Sequence, residues 1–543
     1  MLIRRSPMSE GMNDGLRIVH AQSTEDLPDR VVLTASTPPS ARAVALVIPP
    51  SPFLLDERVF VSLGLLKVAG ALEHAGHPVS VLDLSGIENY EEALEEYLRK
   101  SQDFALGVTT TTPQLPSVMR IAKLTRARRP DLRLILGGPH VTLVHAALRG
   151  ERKRGLHDEG RAKAAMRTLD EAFDVLVAGD GELAVLAALA DDPPRLVDGD
   201  DRNGPFFLSD ADFTDSPPPA RHLVDMESYR YSIEGHPATS LIAQLGCPFA
   251  CGFCGGRASN ALRVIRTRSV TSVVHEVERL HRAYGYTGFM FYDDELNVSK
   301  TMIPMMDELT QLQERLGVEF RLRGFVKSEL LTAAQAEAMV RAGFRWILTG
   351  FEAADPRILL NINKRATLED NTRAVEIAKN AGLKVKALMS CGHPGESEAT
   401  VRAIEEWLVK VEVDDFDCTI ITTYPGTPYY DLAVPHASLD GVYTYSVPRT
   451  GDRLHSFDVD YSTTADYYKG DPADGYRAFV FTDHLQSKDL VALRNHVESS
   501  VRARLNIPFN PARAAMRYEH SMGQGLPDFI LRHQSPGTMR ETA

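Results

Sequence analysis

An α/β protein with two successive parallel sheets is what this sequence predicts: a doubly wound, Rossmann-like domain, then a partial (β/α)6 barrel of the TIM type, then a small C-terminal region. Three observations predict it. Short apolar runs of strand length alternate with helical stretches from residue 43 onward, the pattern that builds parallel sheets covered on both faces. The alternation lapses in a Pro- and Asp-rich stretch at 193–219 and then restarts for six further strand and helix units. The chain also has 543 residues, enough for about three to four domains at roughly 150 residues each.

Residues 1–40 mix Ser, Asp, Glu and Pro without a period and are expected to form a mobile leader. In the first domain, 41–192, strands are expected at 43–48, 79–82, 104–108, 132–136 and 175–177. Helices are expected at 63–73, closed by Gly76, and at 118–128. Ligands of doubly wound sheets sit beyond the carboxyl ends of the strands, which here means the loops at 49–58, 109–113, 137–140 and 179–182. Residues 193–235 are expected as a linker with little core of its own. In the barrel, 236–430, strands are expected at 240–245, 288–292, 319–325, 345–349, 384–390 and 417–422, separated by helices such as 270–284, 333–342, 367–381 and 399–411. An active site would lie at the carboxyl ends of those strands. Past residue 428 the pattern fades into irregular, aromatic-rich sequence, followed by one amphipathic helix at 488–505. The region 431–543 is expected to shape a substrate pocket.

Charge narrows the function further. Against 60 Lys and Arg stand 73 Asp and Glu, a formal charge of −13, so no bulk field recruits nucleic acid or an anionic membrane. No apolar run reaches the roughly 18 residues of a membrane span, and Arg4-Arg5 lacks the apolar stretch of an export signal. A cytoplasmic protein is expected. Five cysteines in a chain of this length are no disulfide framework, and three of them fall within eight residues, which points to metal binding.

Those three are Cys247, Cys251 and Cys254, spaced C-x3-C-x2-C directly after the strand at 240–245. Soft thiolates select zinc or iron–sulfur. Structural zinc wants four protein ligands, and no fourth Cys or His lies within several residues. Three cysteines suit a [4Fe-4S] cubane with one iron left open. The spacing, its place after a strand and the following Gly255-Gly256 resemble the signature of the radical S-adenosylmethionine (SAM) superfamily. The resemblance implies that the open iron chelates SAM and that a reduced cluster cleaves it to a 5'-deoxyadenosyl radical. Phe249 and Phe253 would shield the cluster, and Gly255 and Gly256 would leave backbone N–H groups near the sulfurs and cofactor.

The resemblance spans roughly residues 41–430 and is to the subgroup with an N-terminal cobalamin (B12)-binding-like domain. Pro218-Pro219-Ala220-Arg221-His222-Leu223, Phe291 to Glu295, Gly350-Phe351-Glu352, Gly392-His393-Pro394-Gly395-Glu396 and Tyr424-Pro425-Gly426-Thr427-Pro428 carry it. It implies that Asp293, Asp294 and Glu295 lie near the SAM amino group, that Glu352 reaches the methionine or ribose part, and that Arg323 faces the carboxylate. In the first domain it implies a corrin against Gly137 and Gly138, with Thr110 on the neighbouring loop. The Asp-x-His-x-x-Gly signature of many cobalamin proteins does not occur; Glu73-His74-Ala75-Gly76-His77 reads as a helix end.

Other candidates carry less. His275 and His281 are six positions apart and cannot share one helical face as a zinc pair would. Gly179-Asp180-Gly181-Glu182 lacks the lysine of a P-loop and reads as a strand-to-helix turn. Cys391 and Cys418 read first as small buried hydrophobes, although Cys391, ending the fifth strand beside His393, would be placed to meet the radical as a hydrogen donor. Tyr424, Tyr429, Tyr430, Tyr443 and Tyr445 would either line a substrate pocket or simply pack.

The expected enzyme is thus a radical SAM enzyme modifying an unactivated carbon of a small molecule, of natural-product or sugar type, by cobalamin-dependent C-methylation. It would take electrons from a flavodoxin- or ferredoxin-type protein. The alternative keeps the radical and drops the corrin: a dehydration, deoxygenation or rearrangement of a sugar-like substrate, as in a lyase, with Glu519, His520 or Asp483 as acid–base groups. A third reading is a non-catalytic iron–sulfur carrier or sensor.

Overall fold

The computed structural model describes residues 41–508 apart from 52, 53, 55, 56, 157–159 and 469–474. The expected leader at 1–40, and the proposed acid–base residues Glu519 and His520, lie outside the described residues.

The first sheet is parallel throughout. Its strands are β1 (Val44–Ile48), β2 (Val79–Asp83), β3 (Ala105–Thr109), β4 (Arg133–Gly137), β5 (Val175–Gly179) and β6 (Leu196–Gly199), in the order β2-β1-β3-β4-β5-β6. Every residue of β1 is buried, as suits a central strand with helices on both faces. The chain leaves β1 for β2 on one side and returns to β3 on the other, so a crevice opens where the strand order reverses. The sequence reading ended this sheet at 192 and gave 193–235 to a linker. Leu196–Gly199 instead forms the last strand, and Leu223, Val224, Met226 and Tyr229 are buried in the shared core. The signal was weak because an edge strand needs only alternate buried residues, and Asp198 and the flanking prolines look like loop.

The second sheet begins with a hairpin of β7 (Ser232–Ile233) and β8 (His236–Leu241), turned through Glu234 and Gly235 at φ 49° and 82°, the left-handed pair that a two-residue hairpin requires. A separate antiparallel pair, β9 (Gln244–Leu245) and β10 (Arg266–Thr267), follows. The sheet then continues through β11 (Gly288–Phe291), β12 (Arg321–Phe325), β13 (Phe344–Glu352), β14 (Lys384–Cys391) and β15 (Asp415–Ile420), in the order β15-β14-β13-β12-β11-β8-β7. From β8 to β15 all neighbours are parallel, and the first and last do not meet: a partial barrel of six parallel strands. The strand expected at 240–245 stops at Leu241, and Gln244–Leu245 pairs with β10 to close the cysteine-bearing loop on itself.

Helices cover the outer face. Leu368–Ala381 is typical: Thr367 Oγ1 accepts the Asp370 N–H, and Gly382 ends the helix at φ 89°. In the helix Val270–Tyr284, Glu276 is buried between Arg221 (2.7 Å) and Arg268 (2.5 Å). Burial alone would raise its carboxyl, but the two guanidinium groups hold it down at about 2. The stretch around Arg221 is therefore a structural strut.

Beyond the barrel, where sequence reading saw only irregular chain, β16 (Val434–Pro435), β17 (Val442–Ser446), β18 (Arg453–Phe457) and β19 (Val480–Thr482) form an antiparallel sheet. The last helix, Ser487–Leu505, lies along β15. Its Arg494 Nε and Arg502 Nη2 each donate at 2.7 Å to the Cys418 and Phe416 carbonyls, alternate residues on the rim of the sheet, and so cover backbone groups that an edge strand leaves open. Among the described residues no helix is long and apolar enough to cross a membrane.

Candidate active site and corrin cavity

The loop between β9 and β10 carries Cys247, Cys251 and Cys254, and it is held from several directions. At its root, Ala243 and Gln244 N–H donate to Asp293 Oδ1 at 2.7 and 2.8 Å, and Gly246 N–H donates to Asp294 Oδ2 at 2.8 Å. From the segment after β13, Ile362 O accepts the Gly252 N–H at 2.7 Å and Asn363 Nδ2 donates to Ala250 O at 3.0 Å. Tyr429 covers Gly252 so closely that a Cβ there would stand 2.4 Å from Cε1; only glycine fits. A Cβ on Gly255 would meet Leu143 and Tyr424 at 3.2 and 3.3 Å, and Gly256 turns at φ 83° against Leu262. Gly255 thus lets the loop pack onto Leu143 of the first domain, and Gly256 lets it fold back on its own Leu262.

The three sulfurs lie within one another's electrostatic reach. Burial pushes Cys247 up to about 11, with Cys251 adding to the rise, and raises Cys251 itself. Cys254 is the exposed one. Among the described residues no three His, Cys, Asp or Glu side chains are grouped to hold a single metal ion, whereas a cluster of several irons takes thiolates that stand further apart. Three soft donors on one glycine-rich loop, with no fourth, fit a [4Fe-4S] cluster with an open iron.

Sequence reading missed the polar network under this loop. Lys364 Nζ donates to Glu352 Oε1 at 3.2 Å, and Lys327 Nζ donates to Lys364 O at 3.1 Å while standing 4.5 Å from the Phe249 ring. Burial opposes the Lys364 charge, but Glu352 and Cys251 hold its ammonium well above the ordinary lysine value. Glu352 Oε2 accepts the Ser390 hydroxyl at 2.7 Å, and Ser390 Oγ lies 2.8 Å from His393 Nε2. With its proton committed to Glu352, Ser390 accepts from Nε2–H, which fixes the tautomer of a fully buried imidazole. Burial, with the Lys364 charge, pushes that imidazole down to about 3. The sequence hints were the motifs Gly350 to Glu352 and Gly392 to Glu396; Lys364 had none.

Several expected site residues need correction. Asp293 is buried and committed to two backbone amides, with burial pushing its carboxyl up to about 7; it fastens the loop. Asp294 shares that task, yet its residue is exposed, and Glu295, also pushed up to about 7 by burial against Lys364 and Lys327, is half-buried beside it. These two, unlike Asp293, keep solvent-accessible surface. Glu352 has both oxygens bonded within the protein. Arg323 is 6% exposed and packs with its guanidinium 5.6 Å from the Trp346 ring, inside the barrel wall. Cys391 lies on the outer face: Ser390 points inward to Glu352, so its neighbour points outward, where Cys391 is fully buried and hydrogen-bonded to Cys418. Asp483 pairs with Arg453 (2.8 Å) and His455 (3.1 Å) in the C-terminal sheet, as a structural ion pair. Among the tyrosines, Tyr429 and Tyr445 stack at 4.9 Å, and the Arg161 guanidinium lies 3.6 and 3.7 Å from the Tyr430 and Tyr443 rings, so these four pack. Tyr292, within the Phe291 to Glu295 motif, is 39% exposed at the end of β11, with its ring 5.5 Å from that of Phe60.

A second cavity, about 1200 Å³ with its mouth, opens at the carboxyl ends of the first sheet. Leu46, Val108, Ile135 and Val177 line it, with Gly107, Gly137, Gly138 and Gly179 where side chains would intrude. Gly138 sits at φ 98°, and a Cβ there would stand 2.7 Å from Thr109 Oγ1 and Thr110 N. Thr109, not the expected Thr110, faces the cavity; Thr110 is fully buried and bonds to the Thr111 carbonyl. The far wall is the cysteine loop itself, through Leu245, Ala261, Leu262 and Arg266. Two ion pairs, Lys67 to Glu182 at 2.6 Å and Arg266 to Asp180, flank it. Among the described residues that line it none is a histidine, and His74 is exposed at a helix end. A glycine-lined, mainly apolar slot at the reversal point of the sheet fits a large planar corrin that takes no protein histidine.

Residues 241–408 match the radical SAM superfamily and residues 57–170 match the B12 binding domain. The chain thus carries a radical SAM domain preceded by a B12-binding domain, and it is an enzyme of the radical SAM type. An uncharacterized methyltransferase from Pyrococcus horikoshii is 26% identical over 405 residues, 72% of this chain and 83% of that one. The hopanoid C-3 methylase of Methylococcus capsulatus is 24% identical over 399 residues, 70% of each. Among solved structures, the radical SAM methyltransferase TsrM from Kitasatospora setae, with cobalamin and a [4Fe-4S] cluster bound, superposes with a TM-score of 0.60 over 87% of this chain and 90% of that one, at 18% identity. The cobalamin-dependent radical enzyme OxsB gives 0.53 over 72% and 55%, at 14% identity. These two likenesses are of fold.

Proposed function

We propose that this chain is a cobalamin-dependent radical SAM C-methyltransferase acting on a small molecule held between the cysteine loop and the cavity of the first domain. The observation that carries it is the shared wall: the loop that would hold the cluster also forms one side of the corrin cavity, so both cofactors meet at one substrate position. Relatives that are methylases by name support the same reading.

When bound, the cluster and SAM supply a radical that removes a substrate hydrogen, and the corrin supplies the methyl group. The protein's own part is positional. Cys247, Cys251 and Cys254 would hold three irons. Asp294 and Glu295, at the end of β11, would lie beside the amino group of SAM, and Glu352, its oxygens held by Lys364 and Ser390, would stand on the ribose side. Phe249, Phe253 and Tyr429 keep water from the sulfurs. A flavodoxin- or ferredoxin-type protein provides the electron.

The test is to reconstitute the protein anaerobically, reduce it, and supply SAM carrying a labelled methyl group, with and without hydroxocobalamin. Formation of 5'-deoxyadenosine in both samples, and of S-adenosylhomocysteine only with the corrin, is expected. Equal S-adenosylhomocysteine without corrin, or no bound corrin in the visible spectrum, overturns the methylation reading. Absence of 5'-deoxyadenosine in both returns the carrier reading.

A further inference from the structure

The two cofactor sites are joined by a short run of backbone anchored to the first domain by one buried aspartate. Asp200, just past β6, is fully buried. Its Oδ1 accepts the Ser259 hydroxyl at 2.6 Å and the Ala261 N–H at 2.7 Å, its Oδ2 meets Arg149, and its carbonyl accepts Asn260 Nδ2 at 2.9 Å. Ala261 is gripped on its other side too: Arg266, whose Nη1 pairs with Asp180 at the end of the first sheet, donates from Nη2 to Ala261 O at 2.6 Å. The next residue, Leu262, lines the corrin cavity, and its carbonyl accepts the N–H of Cys247 at 3.1 Å. One hydrogen bond therefore separates the cavity wall from the first cluster ligand.

We propose that Asp200 is a positioning residue that couples the two sites, so that a corrin in the cavity tightens the hold of the cysteine loop on its cluster. The inference rests on the functional reading above, since it takes the cavity occupant to be a corrin. A large apolar ligand covers Ala261 and Leu262 and disfavours any arrangement in which they lift from the wall. Lifting is what frees the Cys247 backbone. Coupling between binding sites is reciprocal, so an assembled cluster must raise corrin affinity by the same factor that corrin raises cluster affinity. Asp200 transmits the effect because without it Ala261 and Ser259 lose their anchor on the first domain while the cavity keeps its other walls.

The experiment follows iron release from the reconstituted full chain into an iron chelator under anaerobic conditions, with and without hydroxocobalamin, while the corrin spectrum reports occupancy. About tenfold slower release is expected with corrin bound, within the usual range of coupling. In Asp200→Ala the difference should shrink to less than twofold with corrin still bound. In Asp200→Asn, which keeps an acceptor oxygen for Ser259 and Ala261, most of it should return. A general loss of stability would speed release in both conditions and leave the ratio unchanged. Should the alanine variant not fold, Ser259→Ala removes one of the two side-chain bonds and is expected to reduce the ratio partway. Corrin-bound wild type that loses iron as fast as corrin-free protein overturns the coupling alone, as does Asp200→Ala or Ser259→Ala with the full ratio. Failure of hydroxocobalamin to bind overturns the functional reading, and this one with it.

Discussion

Asp293 separates two readings of the acidic residues at the end of β11. As a SAM ligand it would matter through its charge. As the fastening of the cysteine loop it matters as an acceptor for Ala243 and Gln244 N–H. Replacing it by alanine orphans two amides in a site where the residue is 1% exposed, at about 1–3 kcal/mol for each buried donor. If the lower half of that range falls on the seating of the loop, about 3 kcal/mol shifts the equilibrium roughly hundredfold toward an unseated loop, at about 1.4 kcal/mol per tenfold. Asp293→Asn keeps the oxygen that accepts both bonds and puts its amide where Oδ2 has no hydrogen-bond partner among the described residues. The assay is iron and sulfide content after reconstitution, followed by the change in the cluster's electron paramagnetic resonance spectrum when SAM is added. The alanine variant is expected to retain little cluster, and the asparagine variant a full cluster that still responds to SAM. An asparagine variant with a full cluster and no response to SAM would refute the fastening role and restore Asp293 as a ligand.

Three further outcomes follow from the same contacts. Glu396 is fully buried, accepts the Gly392 and His393 N–H groups, and is pushed by burial from 4.5 to about 8; the folded protein keeps this proton longer than the unfolded one, so stability falls as pH climbs through that window. The loss is at most about 5 kcal/mol, and Glu396→Gln should gain on wild type in denaturant midpoint between pH 5 and pH 9, an unchanged gap arguing against the buried proton. Gly138→Ala places a methyl 2.7 Å from Thr109 Oγ1 at a φ of 98°, a strain of about 1–3 kcal/mol; corrin binding followed by its visible spectrum should weaken about tenfold or more while iron content after reconstitution is kept. Asp483→Ala removes a salt bridge with Arg453 and His455 and should leave the rate of 5'-deoxyadenosine formation unchanged, where a large fall would place Asp483 in the reaction after all.

What the sequence disclosed depended on how far apart the interacting residues stand along it. The cysteine triplet, the turn at Gly137 and Gly138, and six parallel barrel strands were legible because each is a local pattern with a local cause. Asp200 and Ser259 are 59 residues apart, and Lys364 meets Glu352 across a turn containing Asn363 and Arg365 at φ 60° and 64°; neither pairing leaves a periodic trace. Errors of facing came from counting one place off. Thr109 reaches the cavity and Thr110 does not, and Ser390 points into the barrel while Cys391 points out, because successive side chains on a strand alternate. The C-terminal sheet escaped notice because its strands are two to five residues long and are held by long connections.

An open cylinder has two raw margins, and this one hides the riskier margin late. The rail of carbonyls along β15 stays naked until Arg494 and Arg502, 76 and 86 residues downstream of the carbonyls they meet, swing in to dock on it. A nascent chain halted before them, or a shortened version stopped near residue 430, would offer that rail to any passing strand, so oxygen is not the only hazard to guard against during its production: self-zippering is another.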